Sequence, residues 1–218
     1  MRRPLLGDAG PVAEPGPQWL RALRADRGLP AQEGPDAVRS VLAPLVGDTA
    51  MFRARNLGRE LGLPDLWLKF EGDSITGTQK DRIAAAHVVD AVREGKDTIT
   101  VATCGNYGVA VALMGLIAGV RVVAVIPEGY HTKRIEEMAA LQAEVRRWPG
   151  SYEDSVEHSQ QLARTEGWYD GNPGGRNESV QLEGYAPIGR EIVRDLGRAP
   201  VVVACSVSNG TTLAGAWR

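Results

Sequence analysis

Cysteine is almost absent from this chain: Cys104 and Cys205 are the only two in 218 residues. Two thiols make neither a disulfide framework nor a cysteine-built zinc site. Histidine is as scarce, and His87, His131 and His158 fall at no ligand spacing, so they read as surface or half-buried residues. No apolar run is long enough to span a bilayer. Charge of one sign is also missing, because 25 Lys and Arg stand against 27 Asp and Glu, for a formal net charge of -2. That balance offers no electrostatic footprint for nucleic acid or an anionic membrane surface. Met1-Arg-Arg-Pro-Leu-Leu carries two arginines with no apolar stretch behind them, which does not read as a secretory signal, so a cytoplasmic setting is expected.

What is present is an ordinary composition, 43% apolar and 24% charged, enough for one substantial core or two small ones. Residues 1–45 are rich in Pro, Gly and Ala and read as an extension draped over the main body, with a short helix only at Gln18–Arg27. From residue 46 strands and helices alternate. Strands are expected at 66–70, 98–102, 121–126, 144–148 and 200–205. Helices are expected at 81–94, 105–118, 132–141, 152–166 and 181–196, with a last one starting at 211. β-branched runs between helices of ten or more residues predict an α/β fold with parallel sheets covered on both faces. In such sheets ligands sit where strands lead into helices. Three loops qualify.

The first is Ser74-Ile-Thr-Gly-Thr-Gln-Lys-Asp-Arg82, which places a lysine at a helix start. It departs from a nucleotide P-loop, since Gln79 precedes Lys80 and Asp81 follows it. The helix dipole disfavours a cation there, which suits an amine that must be neutral to form a Schiff base. On its own the loop is more simply a capped helix start with a solvated lysine. The second is Thr103-Cys-Gly-Asn-Tyr-Gly108. Its glycines and the helix amides behind them could hold a carboxylate, or could equally form a tight turn. The third, Ser206-Val-Ser-Asn-Gly-Thr-Thr212, offers hydroxyls and helix-start amides to a phosphate, with an N-capped turn as an even alternative.

Taken together, these segments resemble the fold-type II pyridoxal-phosphate enzymes, the threonine synthase and cysteine synthase family. Val46-Gly-Asp-Thr-Ala-Met-Phe-Arg53 is similar to the family's opening segment. Leu68-Lys-Phe-Glu-Gly72 with Thr76-Gly-Thr-Gln-Lys-Asp-Arg82 is similar to its lysine motif. Thr103–Gly108 resembles its substrate loop, and Val207-Ser-Asn-Gly-Thr-Thr-Leu-Ala-Gly215 its phosphate cup. All four occur in the family's order and spacing across residues 46–218. Gln181-Leu-Glu-Gly-Tyr-Ala-Pro-Ile-Gly-Arg-Glu-Ile192 resembles, more weakly, a helix of the threonine synthases.

The resemblance implies a tryptophan synthase beta-like architecture of two domains. Residues 46–95 would begin the cofactor domain, 96–175 would form a smaller movable domain, and 176–218 would return to the large domain. It implies pyridoxal 5'-phosphate as cofactor, with Lys80 as the Schiff-base lysine that later shuttles the α-proton. Asn106 would bond the cofactor's phenolic oxygen. Ser208, Asn209, Gly210, Thr211 and Thr212 would hold its phosphate. Thr103, Cys104, Gly105 and Tyr107 would surround the carboxylate of a small amino-acid substrate.

The implied activity is elimination or replacement at the β or γ carbon, threonine-synthase-like. A cysteine-synthase-like β-replacement or a non-catalytic cofactor-binding homologue are the alternatives. A homodimer is implied as well. Four positions depart from the family pattern: Tyr107, Tyr185 (where glutamine is expected), Ser208 and Thr211. Family members also continue beyond the phosphate loop, so a chain ending at Arg218 is expected to lack the usual C-terminal part, which another segment or chain would supply.

Overall fold

The computed structural model describes residues 34–218; the helix expected at Gln18–Arg27 lies outside them. The first described helix is α1 (Gly34–Leu42), which buries Val38 and Leu42. It falls within the stretch read as irregular, where Pro and Gly density masked two core-facing positions one turn apart. A two-stranded antiparallel pair follows, β1 (Met51–Arg53) and β2 (Trp67–Lys69), with the short helix α2 (Arg55–Glu60) between them.

The centre of the molecule is a four-stranded parallel sheet in the order β5-β4-β3-β6. β3 (Thr98–Ala102) is buried at all five positions and β4 (Arg121–Pro127) at six of seven. β5 is Glu144–Trp148, and β6 is only Tyr169–Asp170. The connecting helices are α3 (Lys80–Arg93), α4 (Asn106–Ala118), α5 (Arg134–Ala140) and α6 (Tyr152–Glu166). Two side chains show that helices cover both faces. Thr100 Oγ1 lies 3.1 Å from Ser159 Oγ on α6. Val122 stands opposite Ile99 in the register, and its Cγ2 would lie 2.5 Å from a Cβ on Gly115 of α4. Successive strand residues point to opposite faces, so α4 and α6 lie on opposite sides.

The long α7 (Glu178–Leu196) and the short α8 (Thr211–Trp217) complete the chain. They pack so closely that a Cβ on Gly189 would lie 2.0 Å from Ala216 O, and one on Gly215 would lie 2.5 Å from Tyr185 Cβ.

One expected element is absent. Residues 200–205 form no strand, and Val201 and Val202 are 93% and 78% exposed. A β-branched run specifies extended backbone and an apolar face, but a strand also needs a neighbour to pair with, and none among the described residues lies beside it. β1, α2 and β6 were not anticipated, being too short to show a periodicity.

Candidate active site

The first loop ends at α3, whose opening residue is Lys80. Thr76 closes the loop from both its groups: its N–H donates to Asp81 Oδ2 at 2.8 Å and its hydroxyl donates to Asp81 Oδ1. The fully buried Asp81 has its pKa raised, chiefly by desolvation, with the two bonds from Thr76 opposing the rise. Lys80 is half-buried, and burial lowers its pKa. Its Nζ donates to Tyr185 Oη on α7 at 3.4 Å.

Tyr185 is completely buried. Burial pushes its phenol up to about 12, with the Thr212 hydroxyl at the start of α8 acting in the opposite direction. The lysine that ends the first loop and α8, which follows the third, therefore meet at one residue, since a Cβ on Gly215 would lie 2.5 Å from Tyr185 Cβ. In the third loop Gly210 has φ +85°, with nothing within 4 Å of a Cβ added there. Asn209 Oδ1 accepts from Thr211 N at 3.3 Å and from Thr211 Oγ1 at 2.9 Å, which tightens the turn ahead of α8. Ser208 and Asn209 are exposed.

The second loop joins β3 to α4. The buried Thr103 braces it, its Oγ1 accepting from Gly108 N at 3.1 Å and from Gly105 N at 3.4 Å. A Cβ on Gly108 would lie 2.3 Å from Met138 Sδ and 2.5 Å from Thr103 Cγ2, so glycine is required there. With Gly105 N and Gly108 N taken up by Thr103, the amides of Asn106 and Tyr107 are the ones this end of α4 can offer to an anion. Asn106 is exposed, and Cys104 is half-buried with its thiol pKa raised by burial, so the thiol stays protonated. The Tyr107 side chain turns away from the loop. It is buried, its hydroxyl donates to Gly171 O at 2.8 Å, and its pKa is raised, first by desolvation. What Tyr107 can turn towards a ligand is its main chain.

A buried ionic cluster behind Lys80 went unread in the sequence. Arg82 Nη1 and Nη2 meet Glu191 Oε1 and Oε2 at 2.7 and 2.8 Å. Arg82 Nε and Nη2 meet Glu71 Oε2 and Oε1 at 2.7 and 2.8 Å. Lys69 Nζ lies 2.7 Å from Glu191 Oε2 and donates to Thr49 O at 2.6 Å, while the Thr49 hydroxyl donates to Glu71 Oε1 at 2.7 Å. The one available signal was position: these residues sit within the opening, lysine and α7 motifs. A second support, Asn172, accepts from Ala102 N at 2.8 Å through Oδ1 and holds the end of β3 below the second loop.

A family model for pyridoxal-phosphate dependent enzymes matches residues 42–218, and the chain belongs to that family. It is 31% identical over 176 residues to threonine synthase from Halalkalibacterium halodurans, a match covering 79% of this chain and 48% of that protein. It is 32% identical over 110 residues to cysteine synthase B from Escherichia coli, covering 49% of this chain and 36% of that protein. Among solved structures, O-ureido-L-serine synthase matches with a TM-score of 0.69 at 24% identity, over 80% of this chain and 57% of that one. Cysteine synthase from Entamoeba histolytica matches with a TM-score of 0.71 at 19% identity, over 80% of this chain and 54% of that one. These structural likenesses establish the fold-type II architecture. The chain spans about half the length of the threonine synthase it matches. The family's cofactor is pyridoxal phosphate, and Lys80, an amine whose proton affinity burial has lowered, has the chemistry to bind its carbonyl. No cluster of metal-ligating side chains occurs among the described residues, and none of their helices is long and apolar enough to cross a membrane.

Proposed function

We propose that this chain carries the working residues of a pyridoxal-phosphate enzyme, threonine-synthase-like, that performs elimination or replacement at the β or γ carbon of a small amino acid. The observation that carries the reading is the convergence of Lys80 and the Thr212 end of α8 on Tyr185. It links the lysine to the helix that follows the hydroxyl-rich loop, and an amine and such a loop are the two kinds of group the cofactor needs.

When bound, pyridoxal phosphate supplies an electron sink that makes the substrate Cα–H acidic. Lys80 would hold the cofactor through its amine and, once displaced by substrate, carry the proton at Nζ. Burial lowers its pKa, which favours the neutral amine that this chemistry needs. Ser208, Asn209, Gly210, Thr211 and Thr212 would hold the phosphate, and Asn106 the phenolic oxygen. Thr103, Cys104, Gly105 and the Tyr107 main chain would hold the substrate carboxylate. Division into a cofactor domain and a smaller movable domain of residues 96–175, a cytoplasmic setting and a homodimer belong to the same reading.

The test is a visible absorbance spectrum of the chain with added cofactor, before and after amino acids bearing leaving groups on the β or the γ carbon. A lysine-bound cofactor band that shifts with γ-substituted amino acids fits the threonine-synthase-like reading. Lys80→Ala should abolish the band, and a band retained in that variant would sink the assignment of Lys80. A cysteine-synthase-like β-replacement is the second reading, supported by the similarity to cysteine synthase B. It predicts a response to β-substituted amino acids instead.

A further inference from the structure

We propose that Tyr185 is the positioning residue for Lys80: its hydroxyl fixes the direction of the amine and sets the amine's proton affinity from the junction of α3, α7 and α8. The importance of this for turnover rests on Lys80 being the cofactor lysine; the contact itself does not.

Three observations carry the inference. Tyr185 Oη accepts from Lys80 Nζ at 3.4 Å, a long but allowed hydrogen bond, while the ring centroid is 6.0 Å from Nζ, so the hydroxyl is the closer contact. The ring is fully buried, and the backbone that carries it is clamped by glycines on two sides. A Cβ on Gly184 would lie 3.2 Å from Ala86 Cβ and from Arg82 O, which presses α7 onto α3 one turn beyond Lys80. A Cβ on Gly215 would lie 2.5 Å from Tyr185 Cβ, which presses α8 onto the same turn. With both approaches closed the phenol has little freedom to swing, so its oxygen is a fixed reference point for a flexible four-carbon side chain. The Thr212 hydroxyl beside the phenol ties that point to the third loop.

An acceptor fixed beside the amine favours its protonated form, opposing the desolvation that lowers the Lys80 pKa. Removing only the hydroxyl in Tyr185→Phe should therefore lower the Lys80 titration midpoint further, by about one pH unit. The measurement uses the cofactor-free protein. The rate at which an amine-acylating reagent modifies Lys80, quantified by peptide mapping, is followed from pH 6 to 11, and well below both midpoints the variant should react about tenfold faster. A midpoint that stays or rises in a variant with wild-type thermal unfolding overturns the proposal. Should Tyr185→Phe fail to fold, Thr212→Val leaves the ring in place and removes the hydroxyl beside it. With that competing donor gone the phenol oxygen accepts more fully from Lys80, so a rise in the midpoint supports the proposal and an unchanged or lower one overturns it. Failure of the chain to take up pyridoxal phosphate would count against the proposed function and leave this titration result standing.

Discussion

Arg82 and Glu191 meet fork to fork, 109 residues apart in sequence, at 2.7 and 2.8 Å. Arg82 is two residues past Lys80, and Glu191 is six past Tyr185. The pair therefore locks α3 to α7 close to where their other two residues touch. Buried ion pairs are costly to desolvate but costlier to break.

Arg82→Leu should accordingly lose about 3–5 kcal/mol of stability, because it leaves Glu71 and Glu191 buried with too few partners. Urea unfolding measures this. A loss below about 1 kcal/mol would mean that water reaches the cluster and solvates the carboxylates, as at exposed pairs.

Acid should act through the same cluster. Burial pushes the Glu191 carboxyl up, but bonds from Arg82 and Lys69 outweigh it and hold the group down at about 2. A depressed folded-state pKa means that the unfolded chain takes up the proton first. The stabilisation is whole above the ordinary value of 4.5 and is lost as pH falls from there to about 2. Unfolding free energy measured from pH 6 to 2 should fall across this window in the wild type, and Glu191→Gln should flatten that part of the curve.

His87 titrates in a different window. Neither ring nitrogen has a hydrogen-bond partner, and the rings of Tyr107 and Tyr169 pack against it in T-shaped pairs with centroids 6.0 and 5.9 Å away. Burial lowers its pKa to about 4, with Asp90 opposing. The unfolded chain therefore binds the extra proton first, and stability declines as pH falls from 6.5 to about 4. His87→Leu should remove that decline and gain about 1 kcal/mol at neutral pH, since it deletes buried polar atoms that have no partner. Chemical unfolding at pH 7 and at pH 5 decides this, and a loss at pH 7 would show the imidazole to be satisfied.

Gly189→Ala pits two effects against each other. Alanine favours a helix over glycine by about 1 kcal/mol. Here, however, its Cβ would lie 2.0 Å from Ala216 O, a backbone atom that cannot step aside without moving α8. Overpacking of this kind costs about 1–3 kcal/mol, so a net loss is expected. Cofactor affinity, measured by absorbance titration, should fall with it, because the displaced helix carries Thr211 and Thr212. Unchanged affinity would separate α8 from the phosphate.

The sequence was most legible where one property sufficed. β3, β5 and α6 have their expected bounds because uniform burial, turn signals and a Ser151–Asp154 capping box mark them locally. It was least legible where a partner distant in the chain decides the outcome. Residues 200–205 carry a strand's composition without a strand's pairing. Tyr107 lies in the loop that resembles the family's substrate loop, but a carbonyl at residue 171 draws its hydroxyl inward. Arg82 and Glu191 lay inside quoted motifs, yet no spacing rule brings together side chains 109 residues apart.

The unpaired run at residues 200–207 has a practical side. Val201, Val202 and Val207 are 93%, 78% and 63% exposed, on backbone that pairs with no strand. Exposed apolar side chains on unpaired backbone can act as a template for other extended chains, so aggregation of this polypeptide is expected to start there. A single lysine at Val202 would blunt that template while leaving Lys80, Tyr185 and the ionic cluster untouched.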